Sequence, residues 1–242
     1  MKVVAITQAR MGSTRLPGKV MMNLAGEPML VRVVNRVRRA GELDDTVVAT
    51  TTNTADDCIV ALCQERGWPV FRGSEEDVLD RYYQAAVAHR ADAVVRITSD
   101  CPLIEPEIVD AVVLEFLSQY PDIDYVSNGI KPSYPLGLNV GIISFYALKK
   151  AWTEDRNPAW REHVTQYIIR NPNLFRIRGV ENDVDYSYMR WTVDTIEDLA
   201  FVRRIYDHLP NDEFNWKDVI LLLERNPEWL EINRHIKQKT VS

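Results

Sequence analysis

Apolar positions along the first half of the chain fall into short runs separated by longer stretches at helical spacing. Val3–Ile6, Val47–Thr50, Pro69–Phe71 and Ala93–Ile97 read as strands. Met29–Ala40, Ala55–Arg66, Glu75–His89 and Pro106–Ser118 read as the helices between and after them. Strands separated by helices of this length predict right-handed βαβ crossovers and a mostly parallel sheet, an α/β fold. Glu105-Pro106-Glu107 reads as a helix start, with proline in the first turn and acids near the N-terminus. The second half has a different texture. Asp124–Ser127, Leu138–Ser144, Leu174–Arg178 and Tyr186–Thr192 predict strands with longer, irregular connections. Helices are expected at Tyr146–Ala151, Trp160–Arg170, Ile196–His208, Trp216–Arg225 and Pro227–Gln238. No repeat, low-complexity segment or long linker interrupts residues 1–242. The expectation is therefore a single domain, with one half over about 1–120 and a small distal lobe with C-terminal helices over about 121–242.

Composition narrows the class. Hydrophobic residues make up 46% and charged residues 26% of the chain, ordinary for a soluble protein with a real core. A net charge of -6 argues against general nucleic-acid binding and against anionic membrane surfaces. Cys58, Cys63 and Cys101 are odd in number and lack metal-ligand spacing. With no signal-like N-terminus and no long apolar run, the expected compartment is a reducing cytoplasm. Cys58 and Cys63, in a helical stretch, are expected to be packing residues.

On this acidic chain one loop is cationic. Gln8-Ala-Arg-Met-Gly-Ser-Thr-Arg-Leu-Pro-Gly-Lys19 follows the first strand, where open α/β sheets bind ligands. Gly12, Pro17 and Gly18 let it fold back, and Ser13 and Thr14 add hydroxyls. Arg10, Arg15 and Lys19 with several free amides make a site for a polyphosphate. It is not a P-loop: five residues separate Gly12 from Gly18, and Val20 stands where a serine or threonine belongs. Asp100, at the end of a buried strand, reads as a magnesium ligand or as a turn cap. The cationic loop favours the ligand, because a bound triphosphate needs a divalent cation. Asp194 precedes the N-cap Thr195 and is either free to face the same site or part of an Asx turn.

Three segments occur in one order: Arg10-x-x-Ser13-x-Arg15-x-Pro17-x-Lys19, Asp100-Cys-Pro-Leu, and Val193-Asp194-Thr195-x-Glu197-Asp198. Together they resemble cytidylyltransferases that make CMP-sugars, in particular the spore coat polysaccharide biosynthesis protein F family, relatives of CMP-KDO synthetase and acylneuraminate cytidylyltransferase. Arg72-Gly73-Ser74 through Tyr82 and Arg161-Glu162-His163-Val164-Thr165 resemble two further segments of that family. The resemblance implies a Rossmann-like nucleotide-diphospho-sugar transferase fold, Mg²⁺ dependence, CTP and a small sugar-type acceptor as substrates, and a homodimer. It also implies that the first half binds nucleotide and the distal lobe serves acceptor binding and dimerisation. Carried over by position, Arg10, Ser13, Arg15 and Lys19 would hold the triphosphate, with Arg72, Gly73 and Ser74 near the base. Arg15, Lys19, Asp100 and Asp194 would be catalytic, the two aspartates as metal ligands.

The chain departs from the family at Tyr134-Pro-Leu136-Gly-Leu-Asn139-Val-Gly141, where Leu136, Asn139 and Gly141 stand at positions that are acids in relatives. A changed acceptor is expected, with Asn139, Arg161 and His163 as acceptor contacts. The alternative for His163 is a helix-start packing residue. Arg36, Arg38 and Arg39 are expected at a solvated helix end, and Asp80–Arg81 as an ion pair or a substrate contact. Two rival functions remain. A glycosyltransferase would need a metal motif such as Asp122-Ile-Asp124, which here precedes a strand. A non-catalytic nucleotide-binding relative would keep the loop without turnover.

Overall fold

Val3 and Ala5 belong to one apolar layer of the molecule, Val4 and Ile6 to another, so the first strand is buried on both faces. The structure is a computed structural model describing residues 1–209 and 212–238. The first strand is β1 (Val3–Gln8). A small antiparallel pair follows, β2 (Asn23–Leu24) and β3 (Glu27–Pro28), and then α1 (Met29–Val37). The chain continues through β4 (Asp45–Thr51), α2 (Asp57–Glu65), β5 (Val70–Gly73), α3 (Val78–Ala88), β6 (Ala93–Thr98) and α4 (Pro106–Gln119). Every first-half strand and helix that the apolar pattern predicts is present, Pro106 opens α4, and the short β2–β3 pair is an addition the pattern does not predict.

The second half adds β7 (Tyr125–Ser127), β8 (Gly141–Ser144), α5 (Phe145–Glu154), α6 (Pro158–Glu162), α7 (Gln166–Arg170), β9 (Ile177–Gly179), α8 (Ile196–His208) and α9 (Trp216–Arg225). One seven-stranded sheet runs in the order β5-β4-β1-β6-β8-β7-β9. Strands β5, β4, β1 and β6 are mutually parallel, and β8 is antiparallel to both neighbours. The fold is therefore α/β with a mostly parallel sheet and a small antiparallel part. The chain builds outward from β1 to β5, then returns to lay β6 against β1's free side. The C-terminal ends of β1 and β6 thus meet at a switch point, where the sheet opens a crevice.

Three expectations in this half, one on α2 and one on α1 are corrected. Tyr186–Thr192 is not a strand; it touches Leu136 through a single bridge at Arg190, and Met189 turns back to hydrogen-bond Tyr186. The helix expected over Trp160–Arg170 is broken into α6 and α7, because Val164 adopts φ 60 between them. A β-branched residue disfavours that conformation, and Val164 is fully buried there. The last helix is a 3-10 segment, Pro227–Ile232. Cys58 is exposed rather than packed. Arg36 is fully buried, not solvated: it donates to the carbonyls of Ile104 (2.7 Å) and Phe214 (3.1 Å) and pairs with Glu105 (3.4 Å). Those carbonyls satisfy a guanidinium that cannot lose its proton. Among the described residues no helix is long and apolar enough to cross a membrane.

Candidate active site

The loop leaving β1 is pinned from below and closed on itself. Met11 N–H donates to buried Asp56 (2.7 Å), whose other oxygen accepts from the Thr51 hydroxyl. Gly18, at φ 70, donates its N–H to Met11 O (2.9 Å), and Ser13 Oγ accepts from Leu16 N–H (3.3 Å). Among the described residues the amides of Gly12, Thr14 and Arg15 donate to no protein group. Free amides beside Arg10, Arg15 and Lys19 suit an anion.

Lys19 is the centre of the constellation. Its Nζ stands 3.0 Å from Asp100 Oδ2, 3.0 Å from Asp194 Oδ1 and 2.7 Å from Val193 O. Burial works against the charge on Lys19, but the two carboxylates outweigh it and raise its pKa. Burial likewise opposes ionisation of Asp100; Lys19 and the Thr98 hydroxyl overcome it and lower its pKa. Asp194 Oδ2 forms an ion pair with Arg15 (2.8 Å) and accepts from Arg190 (2.9 Å). Among the described residues neither carboxylate accepts a backbone N–H, so the turn-cap and Asx-turn alternatives do not describe them.

Asp198 holds this arrangement in place. Thr195 and Asp198 form a capping box at the start of α8. The buried Asp198 carboxylate also accepts from Arg190 Nε (2.8 Å), Asp194 N–H (2.9 Å) and Asn233 Nδ2 (3.0 Å). Burial would raise its pKa; the bonds from Arg190, Asp194 and Asn233 outweigh that and lower it. A carboxyl with a folded pKa below its unfolded value of about 3.9 contributes stability above that pH. That contribution disappears as the pH falls through the folded pKa. Asp198→Asn is therefore expected to lower the urea midpoint at neutral pH and to flatten the loss of stability below about pH 4. Urea titrations across that range read both; superimposable acid profiles would contradict the assignment.

A cavity of about 550 Å³ opens above these groups, within the range of small-molecule sites. Arg10, Ser13, Arg15 and Lys19 line it from the loop, Asp100 from the segment after β6 and Asp194 from the irregular segment before α8. Asn139 and His163 face the same space, together with Leu136 and Gly137. The break at Val164 ends α6 at His163, which no continuous helix would do. Burial, and secondarily Arg96, lower the His163 pKa against the pull of Glu162.

Four proposed contacts lie outside the cavity lining. Arg72 donates to Thr51 O, Asn53 O and Asp57, tying down the connection after β4. Gly73 and Ser74 support α3: a Cβ at 73 would stand 3.0 Å from Arg81 Cγ, and Ser74 Oγ caps Asp77 N–H. Arg161 pairs with Asp77 at 2.8 Å and donates to Trp152 and Asp155 carbonyls. These guanidiniums are engaged by the scaffold. Asp80 accepts from Trp152 Nε1 instead of pairing with Arg81.

Arg81 lines the cavity, as its substrate-contact alternative allowed; sequence reasoning missed Arg96, which lines it too. For Arg96 a signal existed, a charge inside the apolar run Val94-Val95-Arg96-Ile97. The Asp122-Ile-Asp124 segment precedes β7, which runs parallel to β6 because both are antiparallel to β8. Its acids therefore stand at the opposite sheet edge from Asp100 and bind Arg176.

The cytidylyltransferase family profile matches residues 4–239. An uncharacterised protein of Methanocaldococcus jannaschii is 39% identical over 99% of this chain and 98% of its own. The spore coat polysaccharide biosynthesis protein SpsF of Bacillus subtilis is 34% identical, covering 93% of this chain and 95% of its own. A solved cytidylyltransferase from Leptospira borgpetersenii superposes with a TM-score of 0.92 at 32% identity, over 99% of this chain and 100% of the other. The chain belongs to the cytidylyltransferase family.

Proposed function

We propose that this cytidylyltransferase family member moves CMP from CTP to a hydroxyl of a small sugar-type acceptor, for surface polysaccharide synthesis. The observation that carries this reading is the Lys19 ammonium, 3.0 Å from both Asp100 and Asp194 at the end of the amide-lined loop. The polysaccharide role rests on the SpsF relative. In the reaction the acceptor oxygen bonds to the α-phosphorus, the bridging bond to the β-phosphate breaks, and pyrophosphate leaves with that electron pair. The hydroxyl proton passes to a base or to solvent.

Mg²⁺ fits the donor set, because two carboxylates already converge on one cationic point. Among the described residues no group of three or more acidic, histidine or cysteine side chains is gathered for a metal. Asp100 and Asp194 would hold the ion, with phosphate oxygens and water completing the shell, as Mg²⁺ prefers. Bound there, it supplies charge neutralisation at the transferring phosphate. Arg10, Ser13 and the free amides hold the triphosphate, and Arg15 and Lys19 neutralise the departing pyrophosphate. Asn139 and His163 orient the acceptor; His163, kept neutral by its lowered pKa, can accept the hydroxyl proton. A homodimer belongs to the same reading, supported by the exposed Val184 and Tyr188 and read by sedimentation equilibrium.

Isothermal titration of CTP, UTP, GTP and ATP with Mg²⁺ tests the reading. CTP is expected to bind most tightly, and Arg15→Ala to weaken it roughly 10- to 100-fold, the worth of one charged hydrogen-bonding group. Absence of nucleotide binding, or binding indifferent to Arg15, would sink it.

A further inference from the structure

Among the described residues, every side chain that lines the cavity lies between Gln8 and Asp194, with one exception, Gln238. It arrives from the segment that follows α9. Trp229 is buried in the 3-10 segment there, and Asn233 is buried just beyond it. Asn233 Nδ2 donates to Arg190 O (2.9 Å) as well as to Asp198 (3.0 Å). Further on, Gln238 Oε1 accepts from Arg190 Nη1 at 2.7 Å. A guanidinium only donates, so the carboxamide must turn its oxygen, not its nitrogen, towards it.

Arg190 is the cation behind Asp194. It lies outside the cavity lining, and its side chain is only 7% exposed. Nε donates to Asp198 (2.8 Å) and Nη2 to Asp194 and Asp198 (2.9 Å each), while Nη1 has Gln238. Arg15 and Lys19 also pair with Asp194, but both line the cavity, where a triphosphate competes for them. Once they turn to phosphate, Arg190 is the cation left on the Asp194 carboxylate. A guanidinium held at all three nitrogens fixes that carboxylate in one direction; one released at Nη1 can pivot.

Resting on the cytidylyltransferase reading, we infer that Gln238 is a positioning residue of the active site: its carboxamide fixes Arg190, and through Arg190 the Asp194 carboxylate, for the divalent cation. The segment after α9 thereby completes a site otherwise built from elements between β1 and α8. Gln238 acts on the metal and not on the triphosphate loop, whose cations lie between Arg10 and Lys19. Hydrogen-bond partners of a metal ligand commonly change metal affinity by roughly 10- to 100-fold. Gln238 stands one hydrogen bond further out, so its effect falls at or below the low end.

The test is isothermal titration of CTP at graded Mg²⁺ into full-length wild type and Gln238→Met, which keeps the side-chain length without its oxygen acceptor. The Mg²⁺ concentration that supports half-maximal CTP binding is expected to rise roughly 5- to 10-fold. CTP affinity without Mg²⁺ is expected to stay within about threefold of wild type, well under the effect of losing a charged contact. In an Arg190→Lys background, which has no Nη1, Gln238→Met is expected to add less than about twofold, because residues acting through one another are not additive. NMR of the ligand-free protein reads the link directly and holds even where Arg190→Lys does not fold: the Arg190 Nη1 protons are expected to exchange with water faster in Gln238→Met. An unchanged Mg²⁺ requirement overturns the inference, whether or not Tm falls, since a merely structural residue would move Tm alone. So does a rise that persists in full in the Arg190→Lys background, or Nη1 exchange equal to wild type. Failure of CTP to bind the wild type refutes the cytidylyltransferase reading instead, and the Arg190 signals still report whether Gln238 holds the guanidinium.

Discussion

Lys19→Met is expected to lower kcat on the order of 10²–10³-fold, the usual effect of removing one preorganised charge from a site of this kind. The same substitution leaves Asp100 without its ion pair, while Asp194 keeps Arg15 and Arg190. Asp100 is a quarter exposed, which tempers the cost. A loss of about 1–3 kcal/mol in ligand-free stability is expected, below the figure for a fully buried broken pair. Lys19 holds the point between the carboxylates, so Mg²⁺ alone is expected to stabilise the variant more than the wild type. Steady-state pyrophosphate release reads the first effect, and thermal unfolding with and without Mg²⁺ reads the second. A variant with wild-type turnover would remove Lys19 from the chemistry. A variant whose stability ignores Mg²⁺ would remove the metal from Asp100 and Asp194.

Gly137→Ala is the second large effect. Gly137 has φ +117, and a Cβ there would stand 2.7 Å from Thr192 N and 2.8 Å from the Trp191 carbonyl carbon. Both are backbone atoms, so no flexible side chain can yield. On either side Leu136 is bound to the same segment, donating to Met189 O (2.9 Å) and accepting from Trp191 N–H (2.7 Å). The overlap is transmitted along 190–194 to Asp194. A stability loss of about 2–4 kcal/mol is expected from backbone strain plus the broken close approach. The surviving fold is expected to lose roughly 100-fold in turnover, the effect of about 1 Å of misplacement at a reacting centre. Gly26 has φ +91 but open space around its Cβ, so Gly26→Ala isolates the conformational strain. Equal stability losses for the two variants would show that the close approach at 137 contributes nothing.

The phosphate loop was legible because its chemistry is local. Three cations and two glycines within a dozen residues, just after an apolar run, define a strand-end anion site wherever the chain folds. The acids were legible as chemical types, Asp100 just past a strand and Asp194 just before the N-cap Thr195, though the segment leading to Asp194 is not the strand the pattern predicts. Less was legible at 160–170, where helical periodicity continues through a residue in the left-handed region. Arg72 and Arg161 matched a familiar segment, yet their guanidiniums are engaged by Asp57 and Asp77.

Sequence by itself determined the parallel half of the sheet, the helices that cross it and the cationic loop. Each depends on burial periodicity and turn chemistry within about one element's length. Tertiary structure alone decided which charge meets which. Lys19 finds its carboxylates 81 and 175 residues away. Arg36 finds buried carbonyls, while among the described residues the Arg96 guanidinium makes no hydrogen bond or ion pair. A charged side chain takes its partner from whatever the topology brings within about 4 Å, and nothing in its own neighbourhood of the chain carries that information.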